Sequence, residues 1–138
     1  KDVFLADSVY SNTNYDEELI GKNLNIINSS LELNTIIAET AKELGIDLKR
    51  GRAFTTDAFY GNPKTTIDLA IKNSCDVVEM ESFALFLNAK EYHKRATSIL
   101  TVTDEIFSDK KMSSNEREVR LNSMIKLVLE SIIKIENS

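Results

Sequence analysis

The sequence predicts an α/β layered domain with a mixed, mostly parallel central sheet flanked by helices. Three observations lead there. Short apolar runs alternate with segments of helical periodicity, in the order strand, helix, strand, helix, strand, helix. Two of the runs end in acidic residues, Asp76-Val77-Val78-Glu79-Met80-Glu81 and Thr101-Val102-Thr103-Asp104-Glu105. The chain has 138 residues, 42% hydrophobic and 28% charged, which suits one domain, 1–138, with a core of its own.

Val3 to Ala6 reads as a strand, with Asp7-Ser8 at its end. Residues 8–31 are rich in Ser, Asn and acids and contain Gly21, so the expectation is mostly loop. Asn34 is a candidate N-cap for a helix carrying Ile36, Ile37, Thr40, Ala41 and Leu44, and Gly45 is its stop. Asp47 to Phe54 returns as a strand. A long turn over 55–63 holds the aromatic pair Phe59-Tyr60. Thr65 or Thr66 caps a helix through about Asn73, and the strand carrying Val77 and Val78 follows. Phe83, Leu85, Phe86, Leu87 and Ala89 make a helix apolar on most sides, closed by Lys94 and Arg95. Ala96 to Val102 is the next strand, and 107–112 a polar loop. Ser113 and Glu116 have capping-box spacing at the start of the last helix. Its apolar stripe is read as Leu121, Met124, Ile125, Val128, Ile132 and Ile135.

The strand-end acids carry the functional argument. Alternation along a strand points Glu79 and Glu81 the same way and Met80 opposite. In open α/β sheets, ligands bind at the carboxyl ends of strands. A pair of acceptor-only carboxylates suits the neighbouring hydroxyls of a sugar, a cation, or simply solvent, and the spacing leaves all three open. Arg117 lies four before Leu121 and seven before Met124, which predicts a place on the buried face. A guanidinium there needs an acidic partner, and Asp104 and Glu105 are the nearest in sequence.

The totals exclude other classes. A net charge of -5 argues against nucleic acid as the main partner. No apolar run approaches the length of a membrane span, and there is no signal-like start. Cys75 is the single cysteine and His93 the single histidine. A zinc site therefore has little to work with, no metal is expected, and a reducing cytoplasm fits. Neither G-x-G-x-x-G nor a P-loop occurs. The opening at Lys1, without an initiator Met and almost directly into an apolar strand, reads as a fold entered partway through.

Taken in order, Asp57-x-Phe59-Tyr60, Val78-Glu79-Met80-Glu81, Thr101-Val102-Thr103-Asp104 and Glu116-Arg117 resemble the nucleoside phosphorylase family of the hexameric bacterial type, and within it the purine nucleoside phosphorylases. The final helix, with Met124-Ile125-Lys126 and Leu129-Glu130-Ser131, agrees as well, so the resemblance runs over nearly the whole chain. Thr103 stands where those enzymes commonly have Ser, and Ser82-Phe83 replaces two small residues.

The resemblance implies phosphorolysis of purine nucleosides, with inorganic phosphate as co-substrate and no cofactor. It implies Phe59 stacked on the purine, Val78 and Met80 lining the pocket, and Glu81 on the ribose hydroxyls with Glu79 beside it. Asp104 would be the general acid toward N7 of the base, assisted by Arg117, with the acids of two adjacent strands meeting over one ligand. It further implies a cytoplasmic homo-oligomer, hexameric in the intact family. The family's phosphate loop and phosphate-gripping arginines belong to its N-terminal half and find no match here. The expectation is therefore a C-terminal part, inactive alone and prone to self-association. A methylthioadenosine/adenosylhomocysteine nucleosidase-like hydrolase and a non-catalytic nucleoside-binding remnant are the alternatives.

Overall fold

The computed structural model describes residues 3–58, 61–102 and 113–138. Its elements are β1 (Val3–Ser11), α1 (Tyr15–Ile20), β2 (Ile26–Asn28), α2 (Leu31–Leu44), β3 (Leu48–Thr55), α3 (Pro63–Lys72), β4 (Val77–Glu79), α4 (Ser82–Glu91), β5 (Ile99–Thr101) and α5 (Ser114–Glu136). The five strands form one mixed sheet in the order β2-β1-β3-β4, with β5 also paired to β1. β5 runs antiparallel along Val3–Leu5, β2 antiparallel along Ser8–Tyr10, and β3 and β4 run parallel. This is the α/β class the sequence predicts.

The fold divides into two compact units. The first holds the start of β1 through Leu5, residues 31–50, and the chain from Ile99 onward. Its core is apolar: Val3, Leu5, Ile37, Ala41 and Leu127, with Leu44, Ile46, Leu48, Ile99 and Met124 packed around them. Gly45 ends α2 at φ 69, a left-handed conformation that glycine adopts without a Cβ clash. Ser113 caps α5 by accepting a hydrogen bond from the Glu116 N–H at 3.1 Å, as its spacing predicts.

The second unit holds residues 6–30 and 51–98. Phe54, Phe83 and Leu87 are fully buried in it, and Tyr10 packs on Phe54 with ring centroids 5.2 Å apart. Arg52 ties three segments of this unit together. Its Nε donates to Ser8 Oγ at 3.0 Å, its Nη1 to the Asn73 carbonyl at 2.8 Å, and its backbone N–H to Asp76 Oδ2 at 3.1 Å.

Several expectations are corrected. β1 does not stop at Ala6 but runs to Ser11, because its polar groups find partners: the Asp7 carbonyl accepts from the Ser29 N–H, and Ser8 Oγ from Arg52. Residues 8–31 hold α1 and β2 as well as loop. There the buried Asp16 carboxylate accepts from the N–H groups of Glu17, Leu24 and Asn25, so a turn-like composition serves internal hydrogen bonding. α2 begins at Leu31, which makes Asn34 a buried helical residue and not a cap. α3 is capped by Asn62, whose side chain accepts from the Lys64 N–H at 3.0 Å, with Pro63 in the first helical position. α4 ends at Glu91, before Lys94 and Arg95, and β5 is shorter than the apolar run that suggested it.

Candidate functional site

β4 is three residues long, with Val78 opposite Phe54 and Glu79 opposite Thr55 across the parallel pairing. The strand ends at Glu79, so strict alternation does not carry Glu81 to the same face. Glu81 instead occupies the N-cap position of α4, at φ -125 and ψ -25. Its side chain makes no capping hydrogen bond and is exposed, as is Met80 at 43%. Val78 is half-buried in the sheet.

Glu79 behaves differently from its neighbour. One carboxylate oxygen, Oε1, accepts hydrogen bonds from the backbone N–H groups of Ser82 at 2.7 Å and Glu81 at 3.2 Å. The other, Oε2, accepts from the Thr55 hydroxyl. Thr55 Oγ1 in turn accepts from the Phe83 N–H at 3.1 Å. The first N–H groups of a helix have no intrahelical partner, and here two side chains of neighbouring strands supply them. A carboxylate is favoured at that end of a helix by the peptide dipoles. Ser82 Oγ and Ser98 Oγ lie 2.8 Å apart, so Ser82 is anchored from its side chain too.

Around the end of β5 the arrangement is set by α5. The sequence reading placed Arg117 on the buried face, and this is corrected: Arg117 is exposed in the first turns of α5. The buried face runs through Leu127 and Ser131, and the half-buried residue seven before Leu127 is Arg120. Arg120 Nη1 donates to the Val102 carbonyl at 3.3 Å, and Thr101 Oγ1 lies 3.2 Å from Met124 Sδ. The offset has a simple cause. Apolar residues of α5 are spread around the helix among polar ones, with Val119, Leu121, Ile125, Leu129, Ile132 and Ile133 exposed, so periodicity alone did not single out the packed face. Among the described residues β4 and β5 are also not neighbours in the sheet: β4 pairs with β3, and β5 with β1.

Of the residues singled out from sequence, Val78, Glu79, Met80 and Glu81 sit together at the β4–α4 junction, and Arg117 lies in α5. Phe59 and Asp104 lie outside the described residues. Thr55 and Arg120 were not anticipated. The signal for Thr55 was its place at the end of a strand, but pairing it with Glu79 requires the register. Cys75 precedes β4 as a half-buried thiol, and desolvation by burial raises its pKa to about 11, with the Asp76 carboxylate adding to the rise.

Comparison with known proteins now assigns the class. The family model described as "Phosphorylase superfamily" matches residues 2–133, and the chain belongs to that family. Within the family, the chain is similar to DeoD-type purine nucleoside phosphorylases. It is 37% identical over 91 residues to that of Oceanobacillus iheyensis, covering 65% of this chain and 39% of the relative. It is 40% identical over 92 residues to that of Listeria welshimeri, covering 67% and 39%. The chain thus spans about two fifths of the length of these curated relatives. Its fold is shared by a purine nucleoside phosphorylase from Toxoplasma gondii crystallised with immucillin-H (TM-score 0.84, 19% identity, 99% of this chain and 56% of that one). It is also shared by the Campylobacter jejuni 5'-methylthioadenosine/S-adenosyl homocysteine nucleosidase (TM-score 0.78, 22% identity, 96% and 61%). No helix among the described residues is long and apolar enough to cross a membrane.

Proposed function

We propose that this chain supplies the nucleoside-binding and proton-donating side of a purine nucleoside phosphorylase. The reaction converts a purine nucleoside and phosphate into the free base and ribose 1-phosphate or deoxyribose 1-phosphate. The observation that carries the reading is the sequence identity to relatives named purine nucleoside phosphorylase, 37% and 40% in the two compared above.

In this reading Phe59 stacks on the purine, Val78 and Met80 line the pocket, and Glu81 accepts from the ribose hydroxyls with Glu79 beside it. Glu81 suits that task as an exposed carboxylate with no capping bond to satisfy. A phosphate oxygen forms a bond to C1′ as the bond from C1′ to the base nitrogen breaks. Negative charge then gathers on the departing purine, and Asp104 gives its proton to N7. A cation beside a carboxylic acid favours the carboxylate, so Arg117 contributes as the proton leaves Asp104. The groups that grip phosphate come from residues beyond these 138, no cofactor takes part, and the working form is a cytoplasmic homo-oligomer.

The test is the complete protein assayed with inosine and with adenosine, with and without inorganic phosphate. Base release that requires phosphate and yields the sugar 1-phosphate is expected. Equal release in its absence would replace phosphorolysis with hydrolysis, and nucleoside binding without turnover would leave only a binding role.

A further inference from the structure

We infer that Thr55 and Glu79 are a positioning pair: they hold the backbone of Glu81 in place, and Glu79 itself does not bind the sugar. The part of this inference that concerns ligand rests on the proposed role of Glu81. The part that concerns the clamp stands on the geometry alone.

Glu79 and Glu81 are the same residue type, two apart, and equal candidates by sequence. The structure separates them. Both Glu79 oxygens are engaged inside the protein, Oε1 by two backbone N–H groups and Oε2 by the Thr55 hydroxyl. Thr55 is 3% exposed, so its hydroxyl has no solvent to fall back on. That hydroxyl has one proton, which goes to Glu79, and a lone pair, which receives the Phe83 N–H at 3.1 Å. Three consecutive N–H groups, of Glu81, Ser82 and Phe83, are thereby fixed by two side chains. The Thr56 N–H donates to the Glu79 carbonyl at 3.1 Å, which fixes that residue's own backbone as well. A carboxylate whose two oxygens already take three donors has little left for a ligand. Glu81 is the reverse, with its backbone held and its side chain offered outward. An acid on a fixed backbone loses less freedom when it binds a diol than one on a loose turn.

The experiment uses the complete protein in four forms: unchanged, T55S, T55V and E79Q, each checked for folding by circular dichroism. Two quantities are read: amide hydrogen exchange at Glu81, Ser82 and Phe83, and calorimetric affinity for a purine ribonucleoside against its 2′,3′-dideoxy counterpart. In T55V and E79Q the three amides should exchange about tenfold faster, and preference for the ribonucleoside should fall about tenfold, the scale of a lost buried hydrogen bond. T55S keeps the hydroxyl and should stay within about twofold of the unchanged chain on both readouts. Unaltered exchange in both T55V and E79Q overturns the clamp. Faster exchange with undiminished ribonucleoside preference overturns the positioning role while leaving the proposed function intact. An unchanged chain that does not distinguish the two nucleosides overturns the assigned role of Glu81, and with it the ligand half of this inference.

Discussion

The ends of β4 and β5 invite comparison, because the sequence presents them as two versions of one device, an apolar run closing in acids. They are built differently. At β4 the strand's own last residue, Glu79, turns onto the start of α4, while the acid two residues on is left exposed. At β5 the last described carbonyl, that of Val102, is held by a guanidinium from α5. The first junction is fixed by a carboxylate accepting from N–H groups, the second by a cation donating to a carbonyl. The lesson is that an acid at a strand end is not automatically offered to a ligand. The helix that follows has unpaired N–H groups to satisfy, and the nearest carboxylate is drawn to them.

The largest expected effect belongs to the β5 side. In the complete protein, Asp104→Asn should lower kcat by about 10²–10⁴-fold with little change in KM if Asp104 is the general acid proposed above, since the change would remove a proton donor that acts in the transition state. Steady-state kinetics with inosine decides it, and a raised KM at constant kcat would make Asp104 a binding group instead.

Stability separates the apolar unit from the polar junction. Leu127 is completely buried in a cluster with Val3, Leu5, Ile37 and Ala41. Leu127→Ala should destabilise the chain by about 2–5 kcal/mol in urea unfolding, since the cavity adds to the lost burial. A loss well under 1 kcal/mol would mean that the site collapses or is not a core position. Arg120→Met keeps much of the side chain's bulk and removes the donor to Val102. A loss of about 1 kcal/mol is expected by the same measurement, and Arg117→Met, at an exposed site, should cost less. The opposite ranking would restore Arg117 to the packed face.

Cys75 gives a smaller, pH-dependent signature beside β4. Its thiol should react with a disulfide reagent at pH 8 more slowly than a free thiol, because the pKa near 11 leaves little thiolate. The folded chain keeps this proton where the unfolded chain loses it, so the contribution of Cys75 to stability is constant below about pH 9 and falls as pH rises toward about 11. Cys75→Ser should flatten that decline. Equal reactivity of the folded and urea-unfolded chain at pH 8 would show the thiol to be unburied.

How much was legible beforehand follows from which signals are local. Gly45, the Ser113 cap and the succession of β3 by α3 depend on neighbouring residues, and each is found. The polar stretch after Ala6 misled because Ser, Asn and Asp favour turns when nothing else claims them. Here Ser8 and Asp16 have long-range or buried partners that composition does not reveal. α5 misled for the opposite reason: with apolar residues on every side, its packed face is chosen by what it meets. At the site, the Val78–Glu81 run was legible as a strand-to-helix junction carrying two acids. The division of labour between its two acids was not, because it depends on Thr55 facing Glu79 across the parallel pairing.

The most direct measurement is a crystal structure of the complete protein with a purine ribonucleoside bound. The account predicts the Glu81 carboxylate within hydrogen-bond distance of the 2′ and 3′ hydroxyls, with Glu79 still bound to Thr55 and to the N–H groups of Glu81 and Ser82. A sugar held by Glu79, with Glu81 turned to solvent, would contradict it.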